Sequence, residues 1–433
     1  MSTAVLPTGA GLANVRRSAL AAGVTSGANA VLGVAFWAVA SRGYDPAEVG
    51  TGALLILVVQ TIAAATDLNL NIGLPRLLPQ LGARRGRVVA LSYLAITTLG
   101  AAGGVVAVLV LPAFSADLRA VLADWRLAAS MITAVALWGV FALQDNVLIA
   151  VRRSSWAPVS NIAFGAAKVA AVAALAAADV PGGVLLAWVL PLPLVVLLVS
   201  LGPIRSGLRH YLGGAELRLG GVAPTRAALT SFLAFDYAAL LLQQAAAVLM
   251  PIVVLTRLGA EPNAWFTIAF TAAVAAESVL VATAGALTSE AAAAPHRARE
   301  LAAPTIRRVA VLLGAGVPAG WLAAPPLLAV FGAGYAAHAT TALRAMAVAA
   351  VPMAILVLRT GLWRIEGRSR PILLTHAAVL ALLGALVVPA ADRWSVGGVA
   401  WAWCAAMAIP AVLLLPALVR AGFHPSNDEG RSR

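Results

Sequence analysis

Six ionisable residues lie within long apolar runs of the chain: Asp67, Asp145, Lys168, Asp236, Glu277 and Arg344. Charged groups at bilayer depth are costly, so they turn toward protein, water or a bound counter-charge. Lys168 is the only lysine among 30 basic residues, with Asn161 two turns earlier on a similar helix face. A buried ammonium needs a partner; an internal carboxylate meets that need, and so does a diphosphate headgroup with its many acceptor oxygens. Asp236 and Gln243 share one face of a helix. Either Asp236 or Glu277 would pair with Lys168 or bind a proton or sodium ion. Asp67, Asn69, Asn71 and Arg76 do not fall on one face. That segment reads as a broken or terminal turn, serving as a cavity entrance or as helix-end capping. Asp145 reads as an interfacial cap near Arg152 and Arg153. Arg42 and Arg257 either guide sugar or phosphate at a cavity mouth or remain solvated loop charges. Such groups bind and move a charged cargo. Paired catalytic carboxylates and a soluble catalytic domain are lacking, and Cys404 stands alone, so no enzyme, metal or cofactor is expected beyond a coupling H+ or Na+.

The elements that position these residues are membrane helices. Hydrophobic residues make up 61% of the 433-residue chain and charged ones 11%, against about 25% charged in soluble domains. Apolar runs of bilayer-spanning length recur throughout and lack the alternation of barrel strands. An all-α polytopic membrane protein follows, with spans expected at 18–40, 49–71, 88–112, 127–150, 155–178, 182–201, 227–255, 264–288, 306–331, 338–359, 371–390 and 396–418. Pro325-Pro326, followed by Phe331-Gly332, suggests a break at the outer end of the ninth span.

Charge sets the orientation. Of the 30 basic residues, 23 fall on one side of these spans and six on the other, with Lys168 inside. The positive-inside rule makes the rich side cytoplasmic, with both termini there. This distribution explains the net charge of +13 through orientation and anionic lipid contact; no nucleic-acid partner is expected. "Inner" and "outer" below refer to this assignment.

The chain divides into two halves: residues 1–201 and 227–420 as six-helix bundles, a cytoplasmic linker at 202–226 and a tail at 421–433. A short loop, Arg42-Gly-Tyr-Asp45-Pro46, returns as Arg257-Leu-Gly-Ala-Glu261-Pro262, with Asp45 and Glu261 in matching places. Six spans separate the two loops, which implies a parallel repeat.

The stretch Ala40-Ser-Arg-Gly-Tyr-Asp-Pro-Ala-Glu-Val-Gly50 with Asp67-Leu-Asn-Leu-Asn-Ile-Gly73-Leu-Pro-Arg76 resembles the polysaccharide-export flippases of the multidrug/oligosaccharidyl-lipid/polysaccharide (MOP) superfamily. Phe331-Gly332-Ala-Gly334-Tyr335 is similar to that family's Phe-Gly-x-x-Tyr element, and Gln144-Asp145 through Arg152-Arg153 to its fourth-helix exit. Asn69 replaces the usual Gly, and many relatives have fourteen spans. The resemblance implies a MATE-like pair of six-helix bundles around a cavity. It also implies alternating access and flipping of a polyprenyl-diphosphate-linked oligosaccharide across a bacterial inner membrane. The expected partners are that lipid-linked glycan, membrane lipids, and a glycan polymerase or glycosyltransferases. A cation-coupled multidrug or metabolite exporter of the same superfamily is the alternative, and a membrane glycosyltransferase or polymerase a further one.

Overall fold

The computed structural model describes residues 27–68, 70–78, 81–210, 226–293 and 298–423, and all regular structure among them is helical. The first half contains α1 (27–43), α2 (Pro46–Thr66), α3 (Leu70–Leu77), α4 (Arg85–Val110) and α5 (Ala116–Ala123). It continues with α6 (Trp125–Ala150), α7 (Trp156–Ala177), α8 (Gly183–Val189), α9 (Leu192–Val199) and α10 (Arg205–His210). The second half contains α11 (Arg226–Leu258), α12 (Ala260–Ala293), α13 (Ala298–Ala329), α14 (Ala333–Ile365) and α15 (Ser369–Phe423).

Nine helical stretches among the described residues are long and apolar enough to cross a membrane. The last, Ser369–Val419, has 51 residues, about twice what one crossing needs. It is broken at Trp394 (φ −131°) and Ser395 (φ 52°), where the eleventh and twelfth spans were expected to meet. Counting it as two, and adding α1 and α12, gives the twelve passages. The chain is thus an all-α polytopic membrane protein.

Local chemistry sets the helix ends. Pro46 opens α2 after an extended Asp45, a place where its missing N–H costs nothing. The Ser115 and Asp124 side chains cap α5 and α6 by accepting from the Asp117 and Arg126 amides. Where α4 packs on α6, a Cβ on Gly100 or Gly104 would come within 2.9 Å of Val135 O or Ile132 Cα. Only glycine permits that approach, the usual device of close packing in lipid.

A proline inside a helix frees the carbonyl four residues earlier, and at Pro325 another side chain answers it. Pro325 offers no N–H to Trp321 O; Arg344 Nε donates to that oxygen at 3.1 Å, with its guanidinium 5.2 Å from the Trp321 ring centre. Supported in this way, α13 continues through Pro325 and Pro326 to Ala329. The break comes later than the prolines, at 330–332, where Gly332 adopts φ 132°. The sixth passage is interrupted at Pro191 and relaxes into a π-turn, Ser200–Ile204, around Pro203. There the buried Gln144 donates at 2.8 Å to Val196 O and to Ser200 Oγ. Helix continues to His210, so residues 202–210, expected to start the linker, are helical; 211–225, like the termini, lie outside the described residues.

Helix α2 packs against α11 and α12. At the outer end, Asn263, fully buried, donates Nδ2 to Gly50 O at 2.8 Å. A Cβ on Gly50 would lie 2.0 Å from Ala260 O, so the two helices touch backbone to backbone. Nearby, Arg42 Nη2 donates to Val330 O at 2.8 Å. At the inner end, the Tyr237 hydroxyl donates to Ala65 O.

Candidate functional site

Lys168 stands near the middle of α7. Its Nζ lies 5.3 Å from the Phe36 ring centre on α1 and 5.6 Å from that of Phe164, one turn earlier. Both rings present their negative faces to the ammonium. Phe164 belongs to an aromatic cluster with Trp138, Phe141 and Trp188, which holds the α7 face rigid. Among the described residues no carboxylate lies within ion-pair distance of Lys168. The half-buried cation therefore has ring faces around it and, among the described residues, no neutralising anion.

The expected partners are engaged elsewhere. Asp236, on α11, accepts from Arg364 Nε of α14 at 3.0 Å; the arginine, not Lys168, neutralises it. Gln243 is exposed two turns further along α11. Asn161 Nδ2 donates to Asp145 Oδ2 at 2.9 Å and to Ala157 O at 2.8 Å. Asp145 thus takes the neighbouring amide as its partner, one to two turns to the inner side of Lys168.

Glu277 sits apart from both. It lines an apolar cavity of about 380 Å³ enclosed by α12, α13 and α14, with Ala273, Gly316, Gly320 and Ala347 among the small residues that leave the space. No hydrogen bond or ion pair reaches it from the described residues.

Asp67 terminates α2. Leu68 follows in a left-handed conformation (φ 50°), and α3 then begins, so the helix is broken there, as the scattered polar residues suggested. The Asn71 amide donates to Asp67 Oδ2 at 3.4 Å, and Asn71 Oδ1 is buried without a donor. Arg76 lies in α3, with its side chain outside the described residues. Arg42 ties the halves together at Val330, whereas Arg257 makes a loose exposed pair with Asp392 at 3.8 Å. The matching loops do different work.

One feature lacked a sequence signal. Glu48 Oε1 accepts from the Gly182 amide at 2.5 Å, which fixes the left-handed turn (φ 71°) that starts α8. Around it an outer cavity of about 470 Å³ also carries Asp117 and Asp124. It is larger than the cavity at Glu277, lies away from Lys168, and has an acidic wall. Among the described residues no group of three or more His, Cys, Asp or Glu converges to hold a metal.

No family model matches the chain, and no curated protein does. Solved structures do. An inward-facing multidrug resistance transporter of the MATE family matches with TM-score 0.62 and 14% identity, covering 92% of this chain and 96% of that one. The lipid II flippase MurJ, in an inward closed conformation, matches with TM-score 0.62 and 11% identity over 93% and 89%. A transporter from Pyrococcus furiosus, described by the reversed polarity of its binding pocket, matches with TM-score 0.56 and 14% identity over 93% and 94%. At such identities the likeness is one of fold: over 92% to 93% of its length, this chain has the fold of these MOP-superfamily transporters.

Proposed function

We propose that the protein is an alternating-access transporter whose cargo is an amphipathic anion, a polyprenyl-diphosphate-linked glycan precursor. The observation that carries this reading is Lys168. It is a cation at membrane depth, held by Phe36 and Phe164 and without a carboxylate among the described residues. A diphosphate supplies the missing negative charge and several acceptor oxygens. Both Asp236 and Asp145 have partners of their own, which leaves Lys168 available to a ligand. The fold supports the transport half of the reading, since its matches include a lipid flippase as well as multidrug transporters. The two halves would rock about α2, opening and closing the contact at Gly50 and Asn263.

A second reading, cation-coupled export of a drug-like molecule or metabolite, is favoured by Glu277 in its apolar cavity. It also has the weight of the matched structures, most of which are MATE transporters. In that case Glu277 takes up the coupling H+ or Na+.

Deletion of the gene, in a host without a redundant flippase, separates the two. Under the first reading lipid-linked oligosaccharide accumulates on the inner leaflet, and Lys168→Ala fails to restore display while inserting normally. Normal outer-leaflet display in the deletion strain overturns it. Drug sensitivity in that strain, restored by the wild type and not by Glu277→Gln, supports the second.

A further inference from the structure

The inner end of the second half carries donors that have nothing to donate to. Arg359 Nε, Trp363 Nε1 and Ser369 Oγ are all buried without a hydrogen-bond acceptor, although Trp363 and Ser369 are each only 6% exposed. Buried donors are almost always paired, and leaving one unpaired is costly. Three at one place call for a common acceptor.

They do share a place. The Arg359 guanidinium stacks 4.7 Å from the Trp363 ring centre. The turn from α14 into α15 folds back on the same residue, with the Arg368 amide donating to Trp363 O at 2.8 Å, and Ser369 opens α15 immediately afterwards. Trp363 packs with Ala239 of α11 and Ile372 of α15, so three helices converge here.

Charge points the same way. Arg359, Arg364, Arg368 and Arg370 surround this end, and Asp236 and Glu366 are the carboxylates paired with them. Among the described residues, four arginines against two acids leave a surplus of two positive charges. Arg359 is 13% exposed in its side chain and has Glu366 only at 3.7 Å, and that glutamate is shared with Arg368 at 3.5 Å. A solvated positive-inside loop would not bury a guanidinium and leave its Nε unsatisfied.

We infer that this end of the molecule binds a phosphate group through Arg359, Trp363, Arg368 and Ser369. A phosphate monoester or diphosphate has the charge to match the surplus and enough oxygens to accept from all three orphaned donors. The site lies at the inner ends of α11, α14 and α15, level with the cytoplasmic leaflet in the charge-based orientation. It is distinct from Lys168 in the other half and does not depend on the identity of the cargo. The phosphate comes either from a lipid headgroup or from a soluble phosphorylated molecule.

Native mass spectrometry of the full-length protein in detergent tests this, with phosphatidic acid, phosphatidylcholine and inorganic phosphate as probes. Phosphatidic acid should bind at least tenfold more tightly than phosphatidylcholine. Arg368→Gln, at an exposed position, and Arg359→Gln should each remove most of that preference, and Arg359→Lys should keep part of it. Inorganic phosphate bound alone, with the same dependence on Arg359, would assign the site to a soluble phosphate compound. Equal binding of both lipids, or an unaltered preference in a folded Arg368→Gln protein, would overturn the inference. Should Arg359→Gln fail to fold, Arg368→Gln and Trp363→Phe, which removes only the indole donor, still decide it.

Discussion

Gly50→Ala adds a single carbon where the outer ends of α2 and α12 touch. That carbon would lie 2.0 Å from Ala260 O and 2.7 Å from Ala264 N. Carbon does not approach backbone closer than about 3 Å at tolerable cost, so the helices must part by roughly 1 Å. The Asn263 Nδ2 to Gly50 O bond, 2.8 Å in the closed seam, would then stretch beyond hydrogen-bonding range. Asn263 is fully buried and its Oδ1 already lacks a partner, so the lost bond leaves its whole side-chain amide unsatisfied, while the Gly50 carbonyl keeps its helical bond within α2. That costs about 1–3 kcal/mol in the closed arrangement. The outer-open state, in which water reaches these groups, does not bear this cost, so its population relative to the closed state should rise roughly 5- to 150-fold. Spin labels at Asp45→Cys and Glu261→Cys, both exposed positions flanking the seam, report this in a Cys404→Ser background. The distance distribution should shift to longer values in Gly50→Ala, with equal amounts of protein in the membrane. An unchanged distribution would refute the idea that this contact is a closing surface.

Two other expectations follow from single contacts. Arg344→Ala removes the donor that satisfies Trp321 O above Pro325 and should lower stability in detergent by about 1–3 kcal/mol; adding Pro325→Ala restores a backbone N–H and should recover much of the loss in thermal unfolding. Gln144→Ala leaves Val196 O without its side-chain donor at the π-turn and should cost a similar amount, read as an earlier melt with faster hydrogen exchange across 196–204.

The fold was largely legible because membrane helices announce themselves locally. A run of apolar residues, a proline at a first turn or a loop rich in arginine carries its meaning within about 20 residues. The broken turn after Asp67 and the joint between the last two spans could be read this way. The pairing of charges could not. Asp236 and Lys168 stand 68 positions apart in sequence, and nothing local told that Arg364 would reach Asp236 first. Arg364 begins at an inner helix end, and its long side chain extends to the α11 face. Asn263 gave no signal at all, since a single amide after Glu261-Pro262 looks like any loop residue; its role exists only once α12 lies on α2. Arg359, Trp363 and Ser369 were similarly invisible, because being unsatisfied is a property of three-dimensional surroundings.

The account rests on Lys168 as the cation that receives an anionic lipid-linked cargo. The most direct test is translocation of a fluorescent polyprenyl-diphosphate sugar across proteoliposomes, measured by bleaching of outer-leaflet probe with a membrane-impermeant reductant. Wild type should move the probe well above protein-free vesicles. Lys168→Gln should lose at least tenfold in rate, and Lys168→Arg should keep much of it. Translocation that proceeds equally in Lys168→Gln, or a wild-type rate no higher than that of empty vesicles, would contradict the account.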